Sequence, residues 1–337
     1  MEIIEIQQRD WDSDLFWIEL EISNICNYKC HYCFTDYNTG TIKWPDYELL
    51  VNNLSYLIEY YLKNTKKKKI ALHLLGGEVT HWKRFKDFVK HFKEKYNVII
   101  VLTTNGSKKI EWWNGVYHYL DSVHISVHRE YADYTHISKV ADFLHINDVD
   151  VEANVFMDPF EWDKCEELLE GLKTSDQHWP IARREIIMPN QPYTDEQKMM
   201  LHEIVRCSDK PIKFVISSLS NDCITTVIDS DGKEHSMRYK EILFNRANRF
   251  KGWDCDLGID WICVHANGTL SGVCRNRLYN SDIVYNIFDF DFDKKFKPNI
   301  TSTTCHIDYC WCILEANMPK RKIGNSTTNK VISIYAD

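Results

Sequence analysis

The chain has 337 residues, a net charge of -8, 44% hydrophobic and 27% charged residues. This balance supports a large core with room for a second, smaller unit. Its acidity excludes the broad basic surface of a general nucleic-acid binder. No apolar run reaches the roughly 18 residues of a membrane span, and Met1-Glu2-Ile3-Ile4-Glu5 is not the start of a secretory signal. A cytoplasmic protein with no membrane partner is therefore expected. Twelve cysteines are many for such a compartment, and their close clustering favours metal binding over disulfides.

The first two thirds alternate strand and helix. Trp17-Ile18-Glu19-Leu20-Glu21-Ile22 is a short alternating run that leads into a cysteine loop. Residues 47–64 have Leu, Ile and Tyr at helical spacing, and Ile70 to Leu75 reads as a buried strand. The lysines Lys66-Lys67-Lys68-Lys69 between them read as a solvated loop. From His81 to Tyr96 an aromatic stripe, Trp82, Phe85, Phe88, Phe92 and Tyr96, predicts a core-facing helix. Val98 to Leu102 and Val123 to Val127 are the next strands. A helix over 137–144, a strand over 149–156 and a helix over 162–172 follow. Arg184 to Met188 is a sixth strand that ends at Pro189, and a helix over 193–205 closes the series.

This rhythm implies a parallel sheet with right-handed crossovers. The fold class is α/β, a partial (β/α)6 TIM-like barrel followed by a small C-terminal cysteine-rich domain. The predicted division is a barrel over 1–215, a connecting hairpin and helix over 216–250, the cysteine-rich domain over 251–320 and a tail over 321–337. Residues 212–217 are a further strand candidate. The hairpin comes from 225–229 and 234–239 flanking Asp231-Gly232, and 239–248 reads as a short helix.

Cys26, Cys30 and Cys33 form C-x3-C-x2-C. Three thiolates can hold three irons of a cubane cluster and leave the fourth open to a small molecule. Zinc is the alternative for such a spacing, although it usually takes four ligands in pairs. The pattern, with the aromatic residues Tyr32 and Phe34, resembles the signature of the radical S-adenosylmethionine (SAM) superfamily. Further matches fall in chain order at the C-terminal ends of predicted strands, where β/α barrels gather their ligand-binding groups.

Gly76-Gly77-Glu78 resembles the Gly-Gly-Glu-Pro segment that binds the SAM amino group, with Val79 in place of the proline. Thr103-Thr104-Asn105-Gly106 resembles the Thr-Asn-Gly element, and Ser126-Val127-His128 the Ser-x-Asp or Ser-x-His element. The resemblance implies that Tyr32 meets the adenine, with Phe34 beside it. It further implies that Asn105, Ser126, His128 and Asn154 help to bind SAM, and that Met188 packs on the adenine. The implied cofactor is a [4Fe-4S] cluster with SAM, reduced by a donor such as flavodoxin or ferredoxin.

Cys255-x12-Gly268-x5-Cys274 is similar to the opening of the auxiliary-cluster domains called SPASM or twitch, with a final gap one residue longer. A hairpin over 260–269 would bring Cys255 and Cys274 together, while Cys263 inside its strand reads as structural. Cys305, Cys310 and Cys312 complete the candidates for a second [4Fe-4S] cluster. The preferred set is Cys255, Cys274, Cys310 and Cys312, with Cys305 able to replace one of them, and a zinc knuckle is the alternative. Cys165, Cys207 and Cys223 have no partners by spacing.

The resemblance implies reductive cleavage of SAM to a 5′-deoxyadenosyl radical that abstracts a substrate hydrogen atom. The residues that act on the substrate are not legible. Auxiliary domains of this kind accompany modification of ribosomally made peptides or proteins. No separate leader-binding domain is expected ahead of the barrel, which weakens that reading. The alternative substrate is a nucleoside, a nucleotide (including a modified DNA base) or a small metabolite, for which Arg275 and Arg277 are candidate anion-binding residues. The non-enzyme alternative is a structural zinc protein.

Overall fold

A computed structural model describes residues 2–7, 14–33, 38–176, 178–186, 192–201, 204–206, 224–238, 242, 247–272, 274–310 and 318–323. Among the described residues no helix is long and apolar enough to cross a membrane. The chain divides into two compact units that do not follow its halves. One comprises 1–20, 45–71 and 222–337, the other 21–44 and 72–221.

In the first unit, β2 (Leu15–Glu21) follows β1 (Ile3–Ile6), and α1 (Tyr47–Asn64) leads to β3 (Lys69–Leu75), whose residues from Leu72 on belong to the second unit. The Asp46 carboxylate caps α1 by accepting from Leu49 N at 2.8 Å. Leu50, Leu54, Leu57, Ile58 and Tyr61 line its buried face, and Tyr61 stacks on Phe16 of β2. One lysine of the 66–69 run departs from the expected solvated loop. Lys67 is buried and pairs with Asp260, while Lys66, Lys68 and Lys69 are exposed. A buried ammonium requires such a partner.

The hairpin forms as expected from β9 (Ile224–Asp229) and β10 (Glu234–Arg238), around Gly232 at φ 78°. The later strands are β11 (Trp253–Cys255), β12 (Trp261–Val264), β13 (Leu270–Ser271), β14 (Thr303–Thr304) and β15 (Lys320–Lys322). Six strands make one sheet in the order β10-β9-β1-β15-β11-β14. β12 runs parallel to β2 and antiparallel to β13. The strand expected over 212–217 lies outside the described residues, as do Cys207 and Cys223. So do all but Ile242, Ala247 and Asn248 of the helix expected over 239–248. The predicted tail begins inside β15.

In the second unit, α2 (Phe85–Tyr96), β4 (Ile99–Thr104), α3 (Ile110–Asn114), β5 (Ser122–Val127), α4 (Tyr134–Ile146), β6 (Asp150–Met157), α5 (Trp162–Leu172) and β7 (Ile181–Glu185) follow β3. Its strands run in the order β3-β4-β5-β6-β7-β8, the last being Ile204–Arg206, with β4 to β7 parallel. The aromatic stripe of α2 enters the core as expected. The helix starts at Phe85 instead of His81, because Glu78 accepts from Thr80 N and winds 79–81 into a 3-10 turn.

The last expected elements differ. β7 lies earlier than the predicted 184–188. The helix expected over 193–205 shrinks to α6 (Asp195–Met200), capped by Thr194 and Gln197, and β8 (Ile204–Arg206) pairs antiparallel with β7. α6 buries no side chain, so nothing rewards its extension.

The second unit's interior is unusually polar for such a sheet, whose inward layers normally carry branched aliphatics. Thr103, His124 and Glu152 lie side by side in register, and His73 hydrogen-bonds Thr103 Oγ1 at 2.8 Å. Burial is the main force that lowers the pKa of His73 from 6.5 to about 3, and His124 adds to it. The unfolded chain therefore takes up that proton first as pH falls below 6.5. The stability tied to neutral His73 is present above pH 6.5 and is lost progressively toward pH 3. We expect His73→Gln to remove an acid destabilisation that steepens below pH 6.5 toward about 1.4 kcal/mol per pH unit near pH 5. The check is the thermal midpoint of both proteins from pH 7 to 5. Equal slopes would refute it.

Candidate active site

The cysteine loop is held from beneath by the Gly-Gly-Glu turn. Gly77 N donates to Ser23 O at 2.7 Å and Glu78 N to Ile25 O at 2.8 Å. Gly76 adopts φ +126°, and a Cβ there would sit 2.4 Å from Ser23 O. At Gly77 it would sit 2.2 Å from Ile25 O. Both glycines are thus required by close backbone approach. The Glu78 carboxylate is buried and accepts from Thr80 N (3.2 Å), Thr80 Oγ1 (2.6 Å), Thr104 Oγ1 (2.8 Å) and Asn105 N (2.7 Å). Burial pushes its pKa up despite these donors. Glu78 therefore joins the ends of β3 and β4, and Asn105 passes the link on by donating to Asn27 Oδ1 at 2.9 Å.

Cys30 is buried, while Cys26 and Cys33 are half-buried. Burial, chiefly, pushes the Cys30 thiol up to about 12 and the Cys33 thiol up to about 11, and the neighbouring cysteines raise both further. Burial also raises Cys26, against the Tyr28 N–H donated to its Sγ at 3.3 Å. Three close thiols that resist ionisation without a counter-charge suit a cationic iron cluster, which would stabilise all three as thiolates. The donor set fits a site-differentiated [4Fe-4S] cluster.

The Tyr32 ring is fixed by its hydroxyl, which lies 3.0 Å from His128 Nδ1. The His128 ring stacks on Phe156 with centroids 5.0 Å apart. Burial lowers His128 to about 4, so its imidazole is neutral near pH 7 and its Nδ1 shares one hydrogen bond with the Tyr32 hydroxyl. Ser126 and Asn154 lie opposite each other on β5 and β6. Cys26, Cys30, Cys33, Tyr32, Gly76, Gly77, Glu78, Asn105, Ser126, His128 and Asn154 all belong to the second unit. Phe34 and Met188 lie outside the described residues.

Several site residues were not singled out from sequence. His31 pairs with the Glu130 carboxylate through Nδ1, and its Nε2 lies 3.6 Å from Asp158 Oδ2. This clamp joins the cysteine loop to the segments after β5 and β6. Arg184 donates from Nη2 to Glu152 Oε1 at 3.0 Å and from Nε to Asn154 Oδ1. An arginine inside a short strand candidate was the one available sequence signal. The carboxylates had none, because their partners are distant in sequence.

In the first unit, Cys255 pairs across β11 and β14 with Thr303, and Cys305 N donates to Trp253 O at 2.8 Å. Trp253, Cys255, Thr303 and Cys305 are the buried alternates of these strands, which puts Cys255 and Cys305 diagonally on one face. Cys310 packs in the same apolar cluster as Cys305. Cys274 is half-buried, and Cys312 lies outside the described residues. Cys263 is fully buried, with Sγ 3.6 Å from His265 Nδ1. Arg275 and Arg277 are exposed, and Arg277 pairs with Asp282. Cys165 is buried and accepts the Asp158 N–H at 3.4 Å.

Residues 20–143 match the family model of the radical SAM superfamily. A cyclopropyl synthase of that superfamily, TigE from Paramaledivibacter caminithermalis, is 28% identical over 106 residues. The match takes in 27% of this chain and only 22% of that relative. Among solved structures, native anSMEcpe with bound AdoMet aligns over 85% of this chain and 81% of its own, at 14% identity and a TM-score of 0.51. SuiB of Streptococcus suis, bound to S-adenosylmethionine, aligns over 85% and 64%, at 13% identity and a TM-score of 0.45. The anSMEcpe likeness is one of fold. The three-cysteine loop and the strand-end groups as far as His128 lie inside the matched segment, so residues 20–143 carry a radical SAM segment, and the relative that matches it is a radical SAM enzyme.

Proposed function

We propose that this chain cleaves S-adenosylmethionine reductively and abstracts a hydrogen atom from a peptide or protein substrate. The observation that carries the first part is the three-thiol loop, pinned by Gly76 to Glu78 and tied to Asn105 through Asn27 and to His128 through Tyr32. Cys26, Cys30 and Cys33 would hold a [4Fe-4S] cluster, which with SAM supplies one-electron cleavage of the sulfonium and a 5′-deoxyadenosyl radical. The protein's own task is to bind, orient and exclude water. Tyr32, locked by His128 and Phe156, offers an aromatic face to the adenine. Ser126 and Asn154 offer hydrogen bonds from adjacent strands. His31, held by Glu130 and Asp158, fixes the loop between its second and third cysteines.

Anaerobic reconstitution tests this directly. The wild-type protein should be brown and should convert SAM to 5′-deoxyadenosine and methionine under a strong reductant. Cys26→Ala, Cys30→Ala and Cys33→Ala should each abolish that conversion. Persistent 5′-deoxyadenosine formation in any of them, or a colourless protein holding only zinc, would refute the reading.

The peptide substrate rests on the likeness of residues 255–274 to the opening of SPASM or twitch domains. A second [4Fe-4S] cluster belongs to this reading, with Cys255, Cys274, Cys305, Cys310 and Cys312 as its candidate ligands. The shared face of Cys255 and Cys305 supports Cys305 as a ligand in its own right. Two cubanes would give about eight irons per chain, and Cys255→Ala with Cys305→Ala should lower that to about four while sparing the first cluster.

A further inference from the structure

The Asn154 side chain has two chemically opposite ends, an acceptor oxygen and a donor nitrogen. A guanidinium has donors only, so the bond from Arg184 Nε fixes which end of Asn154 faces it. The oxygen is committed to Arg184, and the NH2 group is the end left for a ligand. Arg184 is itself immobilised. Its Nη2 bonds Glu152 Oε1 at 3.0 Å, and both side chains are 7% exposed. Glu152 stands two residues before Asn154 on the same face of β6. It cancels the arginine's charge, so the pair holds Asn154 without placing a net positive charge beside a cationic sulfonium.

The geometry points to Arg184 as a positioning residue that holds Asn154 with its amide NH2 toward S-adenosylmethionine, so that β6 supplies a hydrogen-bond donor to a ligand oxygen. This rests on the reading that Asn154 faces SAM. Glu152 completes the device by fixing the guanidinium, and neither ionic group needs to touch the ligand.

The test measures the SAM dissociation constant of the anaerobic, cluster-loaded protein by equilibrium dialysis, with iron content as the loading control. The cluster's electron paramagnetic resonance spectrum with and without SAM gives a second readout. Asn154→Ala should weaken SAM about tenfold, the loss of one hydrogen bond. Asn154→Asp keeps an acceptor for Arg184 but removes the donor, and should weaken SAM at least as much. Arg184→Met combined with Glu152→Leu removes the clamp together with both charges of the pair, and should also weaken SAM about tenfold. Adding Asn154→Ala to that pair should produce no further loss.

Wild-type affinity in Asn154→Asp would show the oxygen end facing the ligand and overturn the inference. Multiplying effects in the triple variant would show a merely structural role for Arg184 and overturn it equally. A fully iron-loaded wild-type protein that binds no SAM would overturn the site reading and this inference with it.

Discussion

Gly77→Ala is expected to unseat the cysteine loop. The added methyl would meet Ile25 O at 2.2 Å, Ile25 C at 2.5 Å and Asn24 C at 2.8 Å. All three are backbone atoms, so no rotamer change relieves the clash. Either the Gly-Gly turn or the chain leading to Cys26 must move, and the bonds from Gly77 N to Ser23 O and Glu78 N to Ile25 O are lost. The expected destabilisation is about 3 kcal/mol, combining overpacking with two broken hydrogen bonds. Iron content after anaerobic reconstitution should fall with it. Gly232→Ala is the control. That glycine has a positive φ, which Gly77 does not, but nothing lies within 4 Å of its added Cβ, so it should cost only about 1 kcal/mol and leave iron loading intact. A Gly77→Ala protein with wild-type midpoint and iron content would refute the close-approach argument.

Glu152→Leu is expected to destabilise by about 3–5 kcal/mol, because it leaves the Arg184 guanidinium buried beside a leucine. Breaking one side of a buried ion pair costs more than replacing both with apolar groups of similar volume. Glu152→Leu with Arg184→Met should therefore recover most of the loss. Thermal midpoints of the two proteins measure this. A double variant no more stable than the single would mean that the pair's hydrogen bonds to neighbours, Asn154 among them, outweigh its desolvation.

The spacing of apolar residues was enough to locate most elements. Residues 47–64 and 162–172 repeat their buried side chains every three or four positions, and they form helices over those spans. Periodicity failed where an element buries nothing. α6 has no buried face, so its length follows its cap and the pairing of β8. Lysine 67 was unreadable for the opposite reason, since its partner Asp260 lies 193 residues away.

The sequence by itself determined the chemistry on offer. Three thiols within eight residues, a Gly-Gly-Glu turn and Thr-Asn-Gly are local patterns, carried by covalent spacing and by the strand-to-turn changes around them. Only the tertiary structure decided what those residues do to one another. Gly77 is a glycine because the backbone of residues 24–25 passes against it. Glu78 is a buried carboxylate whose oxygens hold β3 to β4. His31 is clamped by two carboxylates about 100 and 127 residues further on, and Asn154 is oriented by an arginine on the next strand. Such relations depend on which strands become neighbours. Sheet register sets them, and register is a property of the whole packed unit.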